Sequence, residues 1–144
     1  MGQIQTVLAE YETLLTDCPS RWDMLQTLIE IGKELPEFAD ELKIAQNKAP
    51  NCVSDVYVAV SIQHSIVSVK IFADAHIVKG FAKILRDAFH NVPIDEILHT
   101  AQPLIESFIQ NTGIDSSFLS SRANTFGNMF LFLRQQVNQT SENQ

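Results

Sequence analysis

The side chain best suited to chemistry in this 144-residue chain is the thiol of Cys52. It follows a proline-bearing turn and comes directly before an alternating apolar run, within the stretch NKAPNCVSDVYVAVSI (residues 47–62). A thiolate is a nucleophile, and a reactive group at the mouth of a rigid strand is positioned better than one on a free loop. The pattern indicates Cys52 as a candidate nucleophile, with a small buried apolar residue as the alternative.

Other residues that could take part in chemistry have weaker support. Lys48 could lower the pKa of Cys52, although a neighbour in sequence can point away from it. His64 and His76 would suggest a Cys–His pair, but one is expected in a turn and the other at a helix start. Cys18 lies between two predicted helices and is expected to be a packed or idle thiol. Two cysteines and four histidines have no zinc-finger spacing, so no metal is expected.

Composition predicts a single domain over residues 1–144, with a polar C-terminal tail that frays from about residue 139 to residue 144. The net charge of −7 argues against nucleic acid and against anionic membrane surfaces as partners. No apolar run is long enough for a membrane span, and the first residues lack the features of a signal peptide. We therefore expect a cytoplasmic protein with free thiols.

Two alternating runs, residues 55–63 and 66–73, predict a β-hairpin that turns at His64-Ser65 and begins just after Cys52. Apolar periodicity and the positions of proline and glycine predict helices around this hairpin. These helices are expected at residues 4–15, 21–35, 37–44 and 76–90, in a short segment that starts at residue 93, and at residues 103–110. A last helix is expected to follow a cap at Ser120, Ser121 or Asn124. Trp22 is expected to face inward. Asp74 is expected to cap the helix that follows the hairpin.

Three motifs in this chain resemble those of the SufE family of sulfur-acceptor proteins, which includes the CsdE proteins. The first is LIEIGKELP (28–36), similar to the IELGK-LP segment of the family. The second, residues 47–57, is similar to N-x-(V/I)-x-G-C-x-S-x-V-W. The third is DAHIVKGF (74–81), with a later Ser121-Arg122 similar to the S-R motif of the family. The resemblance as a whole runs from about residue 21 to residue 137.

The chain departs from this pattern in several places. Asn51 stands where the family has glycine, Tyr57 replaces the usual tryptophan, and Thr125 occupies a position that is usually glycine. Asparagine tolerates a left-handed backbone better than most residues, so Asn51 is compatible with the same loop.

The resemblance implies an α+β fold, with a small antiparallel sheet of about three strands packed against helices. The third strand would come from the approach to Cys52. It further implies a sulfur carrier and activator without a cofactor, rather than a stand-alone enzyme. Cys52 would accept persulfide sulfur from a pyridoxal-phosphate cysteine desulfurase of the SufS or CsdA kind. It would then pass the sulfur to a SufB-like iron–sulfur scaffold.

The resemblance also names candidate residues for the loop and for partner docking. Ser54 could hydrogen-bond the loop or cap a turn. Asp74 could lie near the Cys52 loop in addition to capping a helix. Arg122 could bind the desulfurase, or hold the loop closed by pairing with Asp74 or a loop carbonyl. Asn51 would adopt the backbone conformation that the loop needs.

Three other functions stay open from the sequence. The chain could be a non-covalent module that binds a desulfurase. It could be an iron–sulfur scaffold of the IscU kind, although such scaffolds use three cysteines and this chain has two. A cysteine hydrolase is the weakest alternative, because no histidine has a recognisable triad context. In the leading hypothesis, the resting loop tucks the thiol against apolar residues and docking exposes it.

Overall fold

The computed structural model describes residues 2–50, 52, 54–115 and 124–143. Within them, five α-helices surround one antiparallel sheet of three strands in the order β1-β2-β3, which confirms the predicted α+β class. The α-helices are α1 (Gln3–Thr16), α2 (Arg21–Gly32), α3 (His76–Phe89), α4 (Ile94–Thr112) and α5 (Thr125–Glu142). The strands are β1 (Val56–Gln63), β2 (Ile66–Ala73) and β3 (Val92–Pro93), and short 3₁₀ turns occur at Asp40–Leu42 and Ala45–Asn47.

The hairpin of β1 and β2 forms as predicted. Its register runs from Val56 opposite Ala73 to Gln63 opposite Ile66. His64 and Ser65 make the turn with φ angles of 54° and 64°, the left-handed values that a two-residue turn requires. Alternate side chains of the two strands face the helices and are buried, among them Val56, Val58, Val67, Val69 and Ile71.

The third strand does not come from the approach to Cys52, so that prediction is wrong. β3 instead follows α3, and Val92 pairs with Val67 of β2. Asn91, with a φ of 64°, turns the chain back, and its amide donates to the Val67 carbonyl at 2.7 Å. Only two residues of β3 pair with the sheet, which is too few for an alternating pattern to show.

Helix α2 differs from the prediction in its end and in its inward face. It ends at Gly32, and Trp22 is 67% exposed because Met24, Leu28 and Gly32 form the buried face. Here the backbones of α2 and α3 lie so close that no side chain fits between them. A Cβ on Gly80 would lie 2.3 Å from the Leu28 carbonyl oxygen. A Cβ on Gly32 would in turn lie 2.7 Å from the Gly80 backbone nitrogen, so close packing explains the glycine late in α2.

Helix α4 is continuous, although two separate helices were expected around Pro103. One face of it is buried through Ile97, Ala101, Ile105 and Phe108. This packing holds the helix together across the proline, which removes one backbone donor. The helix ends where predicted, at Gly113, whose φ is 67°.

Helix α5 is capped by a residue that the sequence analysis did not single out. Asp115 accepts from the amide of Phe126 through Oδ1 at 2.9 Å and from that of Gly127 through Oδ2 at 3.1 Å. The Asn124 side chain makes no cap bond, and Ser120 and Ser121 lie outside the described residues. The helix continues to Glu142, so most of the tail that was expected to fray is helical.

Aromatic contacts tie three helices into one core beneath the sheet. The Phe126 ring of α5 lies 5.7 Å from Phe81 of α3 and 5.4 Å from Phe108 of α4, between ring centroids. Phe89 and Phe130 make a further pair at 5.8 Å. Across the described ranges, no helix combines the length and apolar character that a membrane crossing needs.

Candidate functional site

Cys52 lies in a short connection, residues 50–55, between two chain segments that pair with each other. The Ala49 amide donates to the Val56 carbonyl at 2.9 Å, directly across the base of this connection. Ala49 and Val56 are both buried. The two chain segments on either side of Cys52 are therefore fixed to each other at Ala49 and Val56.

An ion pair crosses the same base. The Lys48 ammonium lies 3.4 Å from Asp55 Oδ1, and Lys48 also forms an isolated β-bridge with Tyr57. Both side chains of the ion pair are more than half exposed, so solvent weakens it. Lys48 thus pairs with a carboxylate of the loop base.

Asp74 fastens the loop base to the end of β2. Its Oδ1 accepts from the Asp55 amide at 3.1 Å, and its own amide donates to the Asp55 carbonyl at 3.3 Å. Asp74 does not cap α3, whose N-cap is Ala75 without a side-chain bond, so the predicted cap is wrong. Its place beside the Cys52 loop matches what the family resemblance implied.

Two amide side chains hold the approach to the loop, and the sequence analysis did not identify them as site residues. Gln136 is buried on α5 and donates to Asn47 Oδ1 at 3.1 Å and to the Val58 carbonyl at 2.9 Å. Asn47 in turn donates to the Leu42 carbonyl at 2.9 Å. One feature of the sequence could have indicated this contact. Gln136 is a polar residue three positions after Leu133, on the apolar face of the helix.

The Cys52 thiol is half-buried and packs against the hydrophobic core. Burial raises the pKa of Cys52, because the thiolate loses solvation when it leaves water. In this position the neutral thiol is therefore favoured over the thiolate, and the sulfur is partly shielded. Such a thiol is protected from side reactions, but it becomes a strong nucleophile only when its surroundings change.

The remaining candidates are placed as follows. Ser54 Oγ is buried and has no hydrogen-bond partner among the described residues, so the expected bond to the loop is not seen in that part of the chain. Asn51 and Arg122 lie outside the described residues. Cys18 is packed as predicted, with its Sγ 3.4 Å from Thr27 Oγ1.

The two histidines considered as partners for Cys52 lie in a turn and at a helix start, where they were expected. His64 forms the hairpin turn, at the end of β1 far along the strand from Cys52, and His76 is exposed at the start of α3. Among the residues that the structure describes, no three His, Cys, Asp or Glu side chains come together as a metal site.

Comparison with known proteins gives consistent results. The family model SufE, described as an Fe-S metabolism associated domain, matches residues 9–137. An uncharacterised SufE-like protein of Synechocystis sp. is 34% identical over 119 residues, which are 83% of this chain and 70% of that protein. A second, from Rhizobium etli, is 30% identical over 119 residues, 80% of this chain and 78% of its own length.

A solved structure shares the fold. The solution structure of a hypothetical protein from Thermus thermophilus superposes with a TM-score of 0.72 at 20% sequence identity. The match covers 94% of this chain and 96% of the other. The family match over most of the chain and the two SufE-like relatives establish that this chain belongs to the SufE family, which is associated with iron–sulfur metabolism.

Proposed function

We propose that this protein accepts sulfur on Cys52 from the persulfide of a pyridoxal-phosphate cysteine desulfurase, stimulates that enzyme and passes the sulfur on for iron–sulfur cluster assembly. Membership of a family associated with iron–sulfur metabolism supports the proposal. The observation that carries it is the position of Cys52, half-buried in a short loop whose base is fastened to both strands of the hairpin. A small movement of this loop would present the thiol without disturbing the fold.

The proposed transfer is a displacement at sulfur. The Cys52 thiolate attacks the terminal sulfur of the desulfurase persulfide, and a new S–S bond forms between them. The S–S bond to the desulfurase cysteine breaks, and that cysteine leaves as a thiolate, as in thiol–disulfide exchange. The proton that Cys52 gives up is balanced by the one that the leaving thiolate takes up, and no external oxidant or reductant is needed.

The raised pKa of Cys52 shapes the proposed reaction. Because burial disfavours the thiolate, the free protein should react slowly with sulfur compounds in solution. Docking on the desulfurase would move the loop and restore the thiolate beside the persulfide. Removing the sulfur frees the desulfurase cysteine for another turnover, which is how the enzyme would be stimulated.

The finer parts of the proposal rest on the family resemblance. SufS- or CsdA-like desulfurases are the proposed donors, a SufB-like scaffold is the proposed recipient, and the cytoplasm is the proposed location. Asn51 and Arg122 are proposed as contacts of the loop or of the partner. Asp74 is proposed to fix the loop base, a role supported by its bonds with Asp55.

The test is the stimulation of a SufS-like desulfurase in multiple turnovers. Cys52→Ser should abolish stimulation because serine cannot carry a persulfide, while the complex should still form. Cys18→Ser is the matched control and should stimulate as the parent does, because Cys18 is packed between α1 and α2. If Cys52→Ser stimulates fully, the covalent role is wrong and a non-covalent binding module replaces it.

A further inference from the structure

Strand β2 is paired along only part of its outer edge, the edge that faces away from β1. Among the described residues, β3 pairs with Ile66 and Val67 and goes no further. The next outward amide, that of Val69, donates to Nδ1 of His90 at 3.0 Å, so a side chain takes the place of a strand there. Within the described ranges, no further hydrogen bond reaches this edge as far as Ala73, the last residue of β2.

The backbone groups left without a partner form a regular row. The Val67 carbonyl and the Val69 amide both make their hydrogen bonds on the outer edge. Backbone groups alternate in direction along a strand, so those of Ile71 and Ala73 point to the same edge. The Val69 carbonyl, both groups of Ile71 and the Ala73 amide are therefore open. Such a row of donors and acceptors is complemented by another extended backbone.

A groove runs beside this open row, between β2 and the chain that follows α2. Two cavities, of about 180 and about 510 Å³, make up the groove, and both are lined by Leu35, Pro36, Glu37 and Ile71. We call the two cavities together the β2 groove. It follows β2 over residues 69–73, a length of about 13 Å that matches about five extended residues.

The β2 groove is basic, although the protein as a whole has a net charge of −7. Four of the ten Lys and Arg residues of the chain line it, and Glu37 is the one carboxylate among its described lining residues. The four are Lys33, Lys70, Lys79 and Arg86. In the described part of the chain, Lys70 and Lys79 form no ion pair. This charge favours an acidic occupant and disfavours the same basic groove of a second copy.

We propose that the β2 groove binds an extended, acidic segment of a partner protein, which adds to the open edge of β2 as a further strand. Backbone hydrogen bonds to Ile71 hold the segment, and its carboxylates lie near Lys79 and the other cations of the groove. Apolar side chains of the segment contact Ile29 and Leu35, which also line the groove. This inference goes beyond the proposed sulfur transfer, because the groove lies across β2 from β1 and does not include Cys52.

Fluorescence anisotropy of a labelled nine-residue peptide, in which glutamate alternates with valine, measures this binding. We expect saturable binding with a Kd below about 1 mM. A peptide with lysine in place of glutamate should bind at least about 10-fold more weakly, because the groove is basic. The absence of saturable binding up to that concentration, or equal binding of the two peptides, overturns the proposal.

Two N-methylated versions of the glutamate peptide test whether it pairs as a strand. One is methylated at every valine amide and the other at every glutamate amide, so each lacks the donors along one edge. A segment that joins β2 uses the donors of one edge, so one version should lose at least about 10-fold in affinity while the other binds as the parent peptide does. Equal binding of the two versions, whether kept or lost, means that no strand is added and contradicts the proposal.

Variants of the protein place the peptide in the groove. Lys79→Glu should weaken binding at least about 5-fold, because it puts a carboxylate where the proposed segment carries one. Lys33→Glu makes the same change at an exposed position and gives the same test if Lys79→Glu does not fold. The control is Gln135→Glu combined with Gln139→Glu, which shifts the net charge equally on exposed positions of α5 outside the groove. It should leave the Kd unchanged, and weakening equal to that of Lys79→Glu would refute the assignment.

Sedimentation of the protein alone tests the other possible occupant, a second copy of the chain. The proposal predicts no association that depends on the β2 groove, because two copies would bring like charges together. Dimers that Lys79→Glu strengthens would assign the open edge of β2 to self-association and overturn the proposal.

Discussion

At the scale of single residues, the proposed chemistry depends on how Cys52 is covered. A sulfur nucleophile must be ionised and accessible, and burial opposes both. The same burial shields a sulfur atom that would otherwise react with small thiols in solution. This arrangement is compatible with the proposed carrier, which would react when it is docked and stay inert when it is free.

Burial predicts a distinctive pH dependence for the reactivity of Cys52. In a Cys18→Ala protein, the native alkylation rate should keep rising with pH beyond 9.0, the ordinary pKa of a thiol, because burial raises the pKa of Cys52. In concentrated urea the burial is lost, so the rate should be higher at neutral pH and should level off near that ordinary value. A native profile that levels off at or below the denatured one would contradict this account.

The sequence singles out Cys52 because the signal for this residue is local, and its role stays a prediction. The alternating run after the cysteine and the surrounding motif lie within residues 47–62, and both concern neighbouring positions. The partners of the loop are not local. Asp74 meets Asp55, and Gln136 meets Asn47, through contacts that exist only after the sheet and α5 have assembled. No periodicity in the chain encodes such a contact.

At the scale of elements, the crossing of α2 and α3 gives the strictest packing constraint. Gly80→Ala would place a Cβ 2.3 Å from the Leu28 carbonyl oxygen, a backbone atom that cannot rotate away. We expect the free energy of unfolding to fall by about 1–3 kcal/mol, as for other overpacked positions, measured by urea denaturation.

Gly127→Ala is the matched control for this prediction, because Gly127 is also a helical glycine. A Cβ there would meet its nearest atoms at 3.5 and 3.6 Å, which is ordinary contact. This variant should gain about 0.5–1 kcal/mol from the better helix propensity of alanine. Equal effects at the two glycines would show that the close approach of α2 and α3 does not constrain the fold.

Elements were predictable where their pattern is long and their environment uniform. The two strands of the hairpin show eight-residue alternation, and α1 and α3 show clear helical spacing. The prediction failed where tertiary packing outweighs a local rule. Pro103 does not break α4, because the buried face of that helix continues on both sides. Asp115 caps α5 from a position ten residues before the helix begins, beyond the reach of a local capping rule.

At the scale of the whole molecule, a charged cluster joins the N-terminal helix to the body of the protein. Asp87 of α3 accepts from the Tyr11 hydroxyl of α1 at 2.5 Å and also pairs with Lys83 and Arg86. Burial alone would raise the pKa of Asp87, but the bonds from Lys83, Tyr11 and Arg86 outweigh it and lower the pKa.

A groove of about 700 Å³ beside this cluster is lined by α1 and α3 rather than by the Cys52 loop.

Asp87→Asn should lower the free energy of unfolding by about 1–3 kcal/mol at neutral pH, because Lys83 and Tyr11 lose a charged acceptor. The contribution of Asp87 is present above its unfolded pKa of 3.8 and is lost as the pH falls through the lower native value. The difference between parent and variant should therefore vanish on acidification, in urea titrations over a series of pH values.

Asp40→Asn is the control, since Asp40 also pairs with a lysine of the same chain segment but is 90% exposed. It should change stability little at any pH, because solvent screens an exposed pair. A parent–variant difference at Asp87 that grows on acidification would contradict the assignment of this cluster as the tie between α1 and α3.

The central claim is that Cys52 carries sulfur, and intact-mass spectrometry under non-reducing conditions tests it most directly. The protein is incubated with a SufS- or CsdA-like desulfurase and cysteine, then compared with its Cys52→Ser variant. We expect the mass to increase by one sulfur atom, located on Cys52, removed by reductant and absent from the variant. An unmodified Cys52 in a protein that still binds and stimulates the desulfurase would contradict the claim.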